Sequence, residues 1–403
     1  MIGANEAERR RNAASGAGTV FDFHPEVDAL RAAGAVHRGS VADLLGADVP
    51  TVANEEVGAH FTVLTFATAE QVFRDHERFS SEHGYGPEVA KYWGANILMM
   101  DEPDHRRYRS LAQPAFAVKT MKSWEQRWLT PMLDQLIDDF PASGPVDLYG
   151  DYCAKFPVNT IAMGFGIAPD DVDMFHAWVS DSQGGPAHVN EYLTRIIDER
   201  RASPNDDDVI GLLAQSEVED EDGRHMLTDA EILGFANLML TAGAGTTYRT
   251  MGMLLVELLK RPELLGAVRD DRSLIPAVVE ETLRWSPPVP FFPRMAMVDT
   301  EIDGVPIPAG SLIDVFVAAA NRDPQRWDDP HAWDPAREPQ AHVAFGFGPH
   351  FCIGNQLARM ELQVGLERLL DRLPRLALDR SVPEPRVTGL LFRMPTGVPA
   401  IIG

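Results

Sequence analysis

The sequence is poor in cysteine and lysine and has no long apolar run. Its 403 residues include two cysteines, Cys153 and Cys352, which excludes a disulfide framework. No stretch approaches the ~20 consecutive apolar residues of a membrane helix. Residues 1–18 are polar and small, and no apolar run follows Arg9, Arg10 and Arg11 as a secretory signal would require. These residues are expected to form a flexible tail, and the protein is expected to be cytoplasmic. Linkers are missing too. No Gly/Ser run, repeat or low-complexity tract divides the chain, so residues 19–403 are expected to form one domain, although ~100–200 residues per domain would suggest more. Only five of the 36 cationic residues are lysines, and the formal net charge is −24. That balance argues against nucleic acid, whose phosphates require Lys and Arg, and against an anionic membrane surface.

What is present reads as mostly helix with a minor β component. Thr228-Asp-Ala-Glu231 has capping-box spacing. Apolar residues then run nearly to Lys260, with Pro262 just beyond. The spacing predicts a helix of about thirty residues, roughly 45 Å long, apolar almost all round and therefore buried. At its centre lies Ala242-Gly-Ala-Gly-Thr-Thr247, whose two glycines weaken it by about 1 kcal/mol each. A second helix is expected from near Pro276 to just before Pro287. Asp303-Gly304 signals a hairpin, and Leu312 to Ala318 reads as a buried strand. Asn321 to Glu338 is rich in turns. A last long helix is expected after Cys352, to about Arg372, and Pro385 to Pro399 reads as a further hairpin. Cys153 lies in a helix-like stretch and reads as a small buried apolar residue.

The densest signal is Phe345-Gly-Phe-Gly-Pro-His-Phe-Cys-Ile-Gly354. Its cysteine stands just before a helix, where backbone N–H groups and the positive helix end favour thiolate. Gly346, Gly348 and Gly354 allow sharp turns and close approach to a flat ligand. His350, two residues from the cysteine, can face an anionic group. A thiolate donates strongly to haem iron and promotes O–O cleavage. A zinc site would need about four ligands. A dinucleotide loop would need a strand and a full G-x-G-x-x-G, a pattern that Phe351 and Cys352 crowd.

At this motif the chain resembles the cytochrome P-450 superfamily, in its soluble bacterial form, and the resemblance extends over nearly the whole sequence. It implies a triangular, mainly α fold with small β-sheets. Glu281-Thr-Leu-Arg284 matches the family's E-x-x-R pair, and Arg337 matches the arginine that completes a buried network. Without the cysteine motif, Glu281 and Arg284 would read as an exposed helix pair worth tenths of a kcal/mol. His105 and Arg109 match an H-x-x-x-R segment that binds haem propionates, and Arg294 matches another propionate arginine. With His350 they make four donors for two carboxylates. Phe345, Gly346 and Gly354 beside the cysteine, and Ala242 and Gly243 on the long helix, are the further implied haem contacts. The family's distal pattern A-G-x-(Asp/Glu)-T reads here Ala242-Gly243-Ala244-Gly245-Thr246, so Gly245 replaces the acid. Thr246 is then expected to act at the oxygen site, with Thr247 a weaker candidate. Gly243 and Gly245 invite a local widening of the helix, where ordered water could carry protons on freed carbonyls. The alternative is a carboxylate from another segment, or the substrate itself, in place of the acid.

The resemblance implies haem b with Cys352 as axial ligand to the iron, and reductive cleavage of O2 with one oxygen atom passing to substrate. Val289, Phe291, Phe292, Leu390 and Leu391, with parts of Gly84 to Leu98, are expected to face a pocket for a hydrophobic small molecule. Arg393 reads as a solvated hairpin residue, or else as a carboxylate partner. No flavin segment is read in the sequence, so the implied electron donor is an iron–sulfur ferredoxin with its reductase. Arg106, Arg107, Lys119 and Lys122 are expected to form the cationic patch that steers it. A haem-thiolate isomerase, dehydratase or peroxide-using enzyme remains the alternative, followed by a non-catalytic haem-binding protein.

Overall fold

The structure, a computed structural model, describes residues 16–49, 58–85, 96–180, 185–205, 207–220 and 223–403. Its axis is the long helical run that the capping box opens. The Thr228 hydroxyl accepts the Glu231 N–H at 3.3 Å, and the Glu231 carboxylate accepts the Thr228 N–H at 2.6 Å. The run is α-helical over Asp229–Leu238, widens into a π-helical turn over Met239–Ala244, and is α-helical again over Gly245–Leu259. The widening falls on the glycine-bearing stretch, as expected of weak helix formers. From Thr247 onward every side chain of the run is buried. Met251, Leu254, Leu255 and Leu258 share one core cluster with Val278, Val279 and Leu283 of the helix Ile275–Trp285, and with Leu362, Leu366 and Leu369 of the helix Asn355–Arg372. Pro276 and Pro287 bracket the middle helix of these three.

A five-stranded sheet flanks this bundle, in the order Val36–Arg38, His60–Val63, Leu312–Val315, Phe292–Ala296, Phe79–Ser80. The strand expected over Leu312 to Ala318 stops at Val315, and Val317–Ala320 is a short helix. Both neighbours run out there: Val315 pairs with Val63 and with Phe292, the terminal residues of their strands. An alanine-rich segment without a ladder partner then prefers helix. Asp303 and Gly304, with φ of 49° and 74°, turn the two-residue hairpin between Thr300–Ile302 and Val305–Ile307. Near the C-terminus, Val387–Thr388 pairs with Met394–Pro395.

The chain start departs from the expected tail. Gly18 N–H donates to the Thr388 hydroxyl at 2.8 Å, and Gly389 N–H donates to the Val20 carbonyl at 2.7 Å. Residues 16–18 are therefore tied to the C-terminal hairpin, and the rest of the expected tail lies outside the described residues. Among the described residues no helix is long and apolar enough to cross a membrane.

Candidate active site

Cys352 sits in a loop folded back on itself. Its N–H donates to the Phe345 carbonyl at 2.9 Å, and Asn355 Nδ2 donates to its carbonyl at 2.7 Å. Gly348 has a φ of 71°, and a Cβ there would stand 2.5 Å from the Phe73 carbonyl oxygen. Conformation and space both require glycine at that turn. One turn into the following helix, Arg359 donates to Glu280 at 2.6 and 3.0 Å and to Asn355 at 2.8 Å, and stacks 4.5 Å from the Phe345 ring centroid. Burial alone would raise the Glu280 carboxyl, but His342 and Arg359 hold it down at about 2. This clamp fixes Phe345 and the cysteine loop to the helix Ile275–Trp285. Burial pushes the Cys352 thiol up, while the Gly354 N–H, Arg109 and Arg359 pull it down. The helix start therefore acts in the expected direction but is outweighed by desolvation. A cation at the sulfur is what would make the thiolate the resting form.

Four donors from three segments, the cysteine loop among them, meet here. His105, buried in the helix Asp104–Ala112, has its ring 4.0 Å from that of His350. Burial drives the His350 imidazole down to about 2, with Arg294, His105 and Arg109 adding to the effect. Arg294 is buried on the strand Phe292–Ala296 and donates to the Pro293 carbonyl at 2.7 Å, while Arg109 donates to the Phe351 carbonyl at 2.6 Å. Among the described residues neither arginine has an ion pair, and the buried His105 Nε2 has no hydrogen-bond partner. Gly84 lets the chain pass against Arg294, where a Cβ would stand 2.8 Å from its Cα. Two arginines without an ion pair, Arg294 buried and Arg109 half-buried, and two imidazoles, of which His105 faces the Glu102 carboxylate at 3.3 Å, are matched by the two carboxylates of a haem, so the residues present fit that group.

On the long helix, Thr241 and Ala242 are exposed in the middle of an otherwise buried run, and Gly243, Gly245 and Thr246 are half-buried. The widened turn thus forms a cleft wall. Two of its carbonyls accept side-chain hydroxyls: Thr246 donates to Ala242 at 2.7 Å, and Thr247 to Gly243 at 3.0 Å. Side-chain back-bonding gives each of these carbonyls one partner, and the second lone pair of each remains for the expected water. A carboxyl from another segment does approach. Glu361, from the helix after Cys352, is buried, and burial raises it to about 8 against the weaker pull of the Thr160 and Thr247 hydroxyls. Its Oε1 has no hydrogen-bond partner. It reaches Thr247, not Thr246, so the weaker of the two threonine candidates carries the acid contact.

Residues 180–397 match the cytochrome P-450 family model. Over 391 residues the chain is 33% identical to the cytochrome P-450 monooxygenase PikC of Streptomyces venezuelae, across 92% of this chain and 89% of that one. The chain belongs to the cytochrome P-450 family. The vitamin D(3) 25-hydroxylase of Pseudonocardia autotrophica is 37% identical over 298 residues, 72% of this chain and 73% of its own. A post-tailoring hydroxylase of himastatin biosynthesis matches over the whole of both chains with a TM-score of 0.82 at 30% identity. A cytochrome P-450 from Chondromyces apiculatus reaches 0.83 at 30% identity, over 96% of this chain and 97% of that one. This P-450 is therefore a monooxygenase of the bacterial type, with the family's mainly helical fold and its cysteine-ligated haem iron.

The family's buried network is complete in this P-450. Arg284 makes a two-pronged pair with Glu281 at 2.7 Å on each prong, and its remaining donors reach the carbonyls of Asn321, Pro330 and Ala332. Arg337 approaches the same carboxylate at 3.6 Å. The residues expected to face substrate divide. Val289, Phe292 and Leu391 are half-buried. Phe291 and Leu390 pack into a core cluster with Phe23 and Phe316, and Leu390 has no exposed surface. Leu390 is thus a core residue, because Val20 and Phe23 of the chain start cover that side of the hairpin. Residues 86–95 of the expected Gly84 to Leu98 wall lie outside the described residues. Arg393 is buried, not solvated: it donates to the Phe21 and Gly389 carbonyls at 2.8 and 3.0 Å and ties the chain start to the hairpin.

The expected cationic patch is also weaker than its sequence. Arg106 pairs with Glu102 at 3.4 Å and Arg107 with Asp104 at 2.7 Å, in a cleft shared with His76, Glu77 and Asp101. Lys119 and Lys122 are exposed and have no ion pair among the described residues. Arg359, Glu361 and Arg249 stand out in the structure and were not singled out in the sequence. Each owes its environment to residues distant along the chain or brought together by the fold.

Proposed function

We propose that this P-450 binds haem b through Cys352 and hydroxylates a hydrophobic small molecule with O2, using electrons from a separate iron–sulfur ferredoxin and its reductase. Residues 19–403 would form one haem domain. The observation that carries the reading is the meeting of Cys352 with His105, Arg109, Arg294 and His350, four donors whose two arginines have no ion pair among the described residues and whose His105 Nε2 has no hydrogen-bond partner. Bound there, the haem supplies oxygen activation and the oxidation chemistry. The protein's own work is to hold and to supply protons. Gly346 and Gly348 shape the loop around the sulfur, and the Gly354 N–H faces it. His105, Arg109, Arg294 and His350 receive the propionates. On the opposite wall Thr246, half-buried at the widened turn, offers its oxygen as a hydrogen-bond acceptor while its proton rests on the Ala242 carbonyl. Thr247 links that turn to the neutral carboxyl of Glu361, which can hold a proton at Oε1 close to the cleft wall. Val289, Phe292 and Leu391 contribute apolar surface that excludes water from the substrate's reacting end.

Cys352→Ser tests the ligand assignment. The variant should hold haem through the propionate donors and lose the strongly red-shifted band of the reduced CO complex. Cys153, the only other thiol, is fully buried between helices, and burial raises its pKa well above the ordinary value. A red-shifted band that survives in the variant would show that Cys352 is not the ligand.

A further inference from the structure

Arg249 is the only charged residue between Glu231 and Glu257, in the most buried part of the long helix. It is 6% exposed and has no ion pair among the described residues. Nη1 donates to the Gly245 carbonyl at 2.8 Å, and the buried Nε has no partner. The guanidinium lies 4.6 Å from the ring centroids of both Tyr248 and Phe392. A carbonyl bond uses one of five donors, and aromatic faces offset only part of the cost of a desolvated charge. Nothing in the fold itself asks for a full positive charge there.

Its surroundings say what does. Arg249 follows Thr246 by three residues, so both lie on one helix face. Phe392 comes from the hairpin tip beside Leu391, a residue of the proposed substrate wall. The guanidinium therefore stands between the reacting face of the helix and that wall. Gly245 gives it room: a Cβ at 245 would come within 2.8 Å of Nη1. An acid at that position, as in the family pattern, would also neutralise it. The missing acid and the buried arginine thus make one device, a cation kept without a counter-charge.

We propose that Arg249 anchors the carboxylate of the substrate, which is accordingly a hydrophobic monocarboxylic acid. The inference rests on the haem-pocket reading above. Nε and the second terminal nitrogen form a planar fork suited to a carboxylate. Tyr248 and Phe392 shield the pair from water, and Val289, Phe292 and Leu391 take the apolar body.

The test uses ferric holoenzyme and probes that report from the iron. ω-(Imidazol-1-yl)alkanoic acids of graded chain length, and their methyl esters, are titrated by the shift of the haem absorption. At the length that reaches Arg249 the acid should bind at least about tenfold tighter than its ester, about 1.4 kcal/mol. In Arg249→Met the ratio should fall below about twofold, with ester affinity and the reduced CO band unchanged; Arg249→Lys should keep part of it. Gly245→Asp, which supplies an internal counter-charge, should abolish the preference even if Arg249→Met loses haem. No acid preference at any length in the native protein would overturn the proposal, as would a preference that survives in the variants. If plain imidazole gives no shift, the haem reading itself fails, and the anchor with it.

Discussion

Glu361 holds its proton because three elements bury it: its own helix, the helix bearing Thr160 and the long helix bearing Thr247. Its folded value of about 8 stands above the ordinary 4.5, which fixes the sign of its effect on stability. Below the lower value both folded and unfolded chains are protonated. Between the two, the unfolded chain ionises and the folded one does not, so stability falls as pH rises towards the folded value. At about 1.4 kcal/mol per pKa unit the loss amounts to a few kcal/mol. Glu361→Gln keeps a neutral side chain and removes this slope. The variant's melting temperature should rise relative to the native holoenzyme from about pH 5 to about pH 8 and level off above it, read by thermal melts across that range. A difference that stays flat with pH would mean that Glu361 is already ionised in the folded protein.

Two helices carry the next predictions. On the long helix, Thr246→Ala removes the hydroxyl that bonds Ala242 and leaves the turn's carbonyl without its partner. Substrate should still bind, while reducing equivalents go to hydrogen peroxide; product and peroxide measured per NADH consumed decide it, and full coupling would take Thr246 out of proton delivery. On the helix Ile275–Trp285, Arg284→Ala strands the Glu281 carboxylate among buried groups and should cost about 3–5 kcal/mol, seen as a loss of folded holoprotein. These elements were legible because their signals are contiguous: a capping box at Thr228, prolines at 276 and 287, an Asp-Gly pair at 303 and 304, and ten residues around Cys352. The length of the strand from Leu312 was not, because it ends where its neighbours end. Nor were the burial of Leu390 and Arg393, which depends on a chain start hundreds of residues away. Glu361 reads in the sequence as one acid among sixty; only the fold sets it against Thr160 and Thr247.

For the molecule as a whole, the net charge of −24 sets the electrostatic problem. An acidic electron donor would be repelled unless a local field opposes the overall one. Arg106 and Arg107 contribute little to that field, since each already faces a carboxylate. Lys119 and Lys122 remain, on the helix Val118–Trp124, which packs against the helix that follows Cys352. Phe116, just before them, lies beside Gly354, and Val118 is 78% exposed between ring and lysines. This places two cations and an apolar contact on the cysteine side of the protein. Reversing both lysines to glutamate should slow ferredoxin-dependent reduction by about tenfold at low salt, with ligand-induced spectral shifts unchanged. Because exposed charges are screened over about 8 Å at physiological ionic strength, the native rate should fall with added salt and converge on that of the variant. Stopped-flow reduction over a salt series separates the cases: a native rate indifferent to salt and equal to the variant's would mean that the donor docks elsewhere.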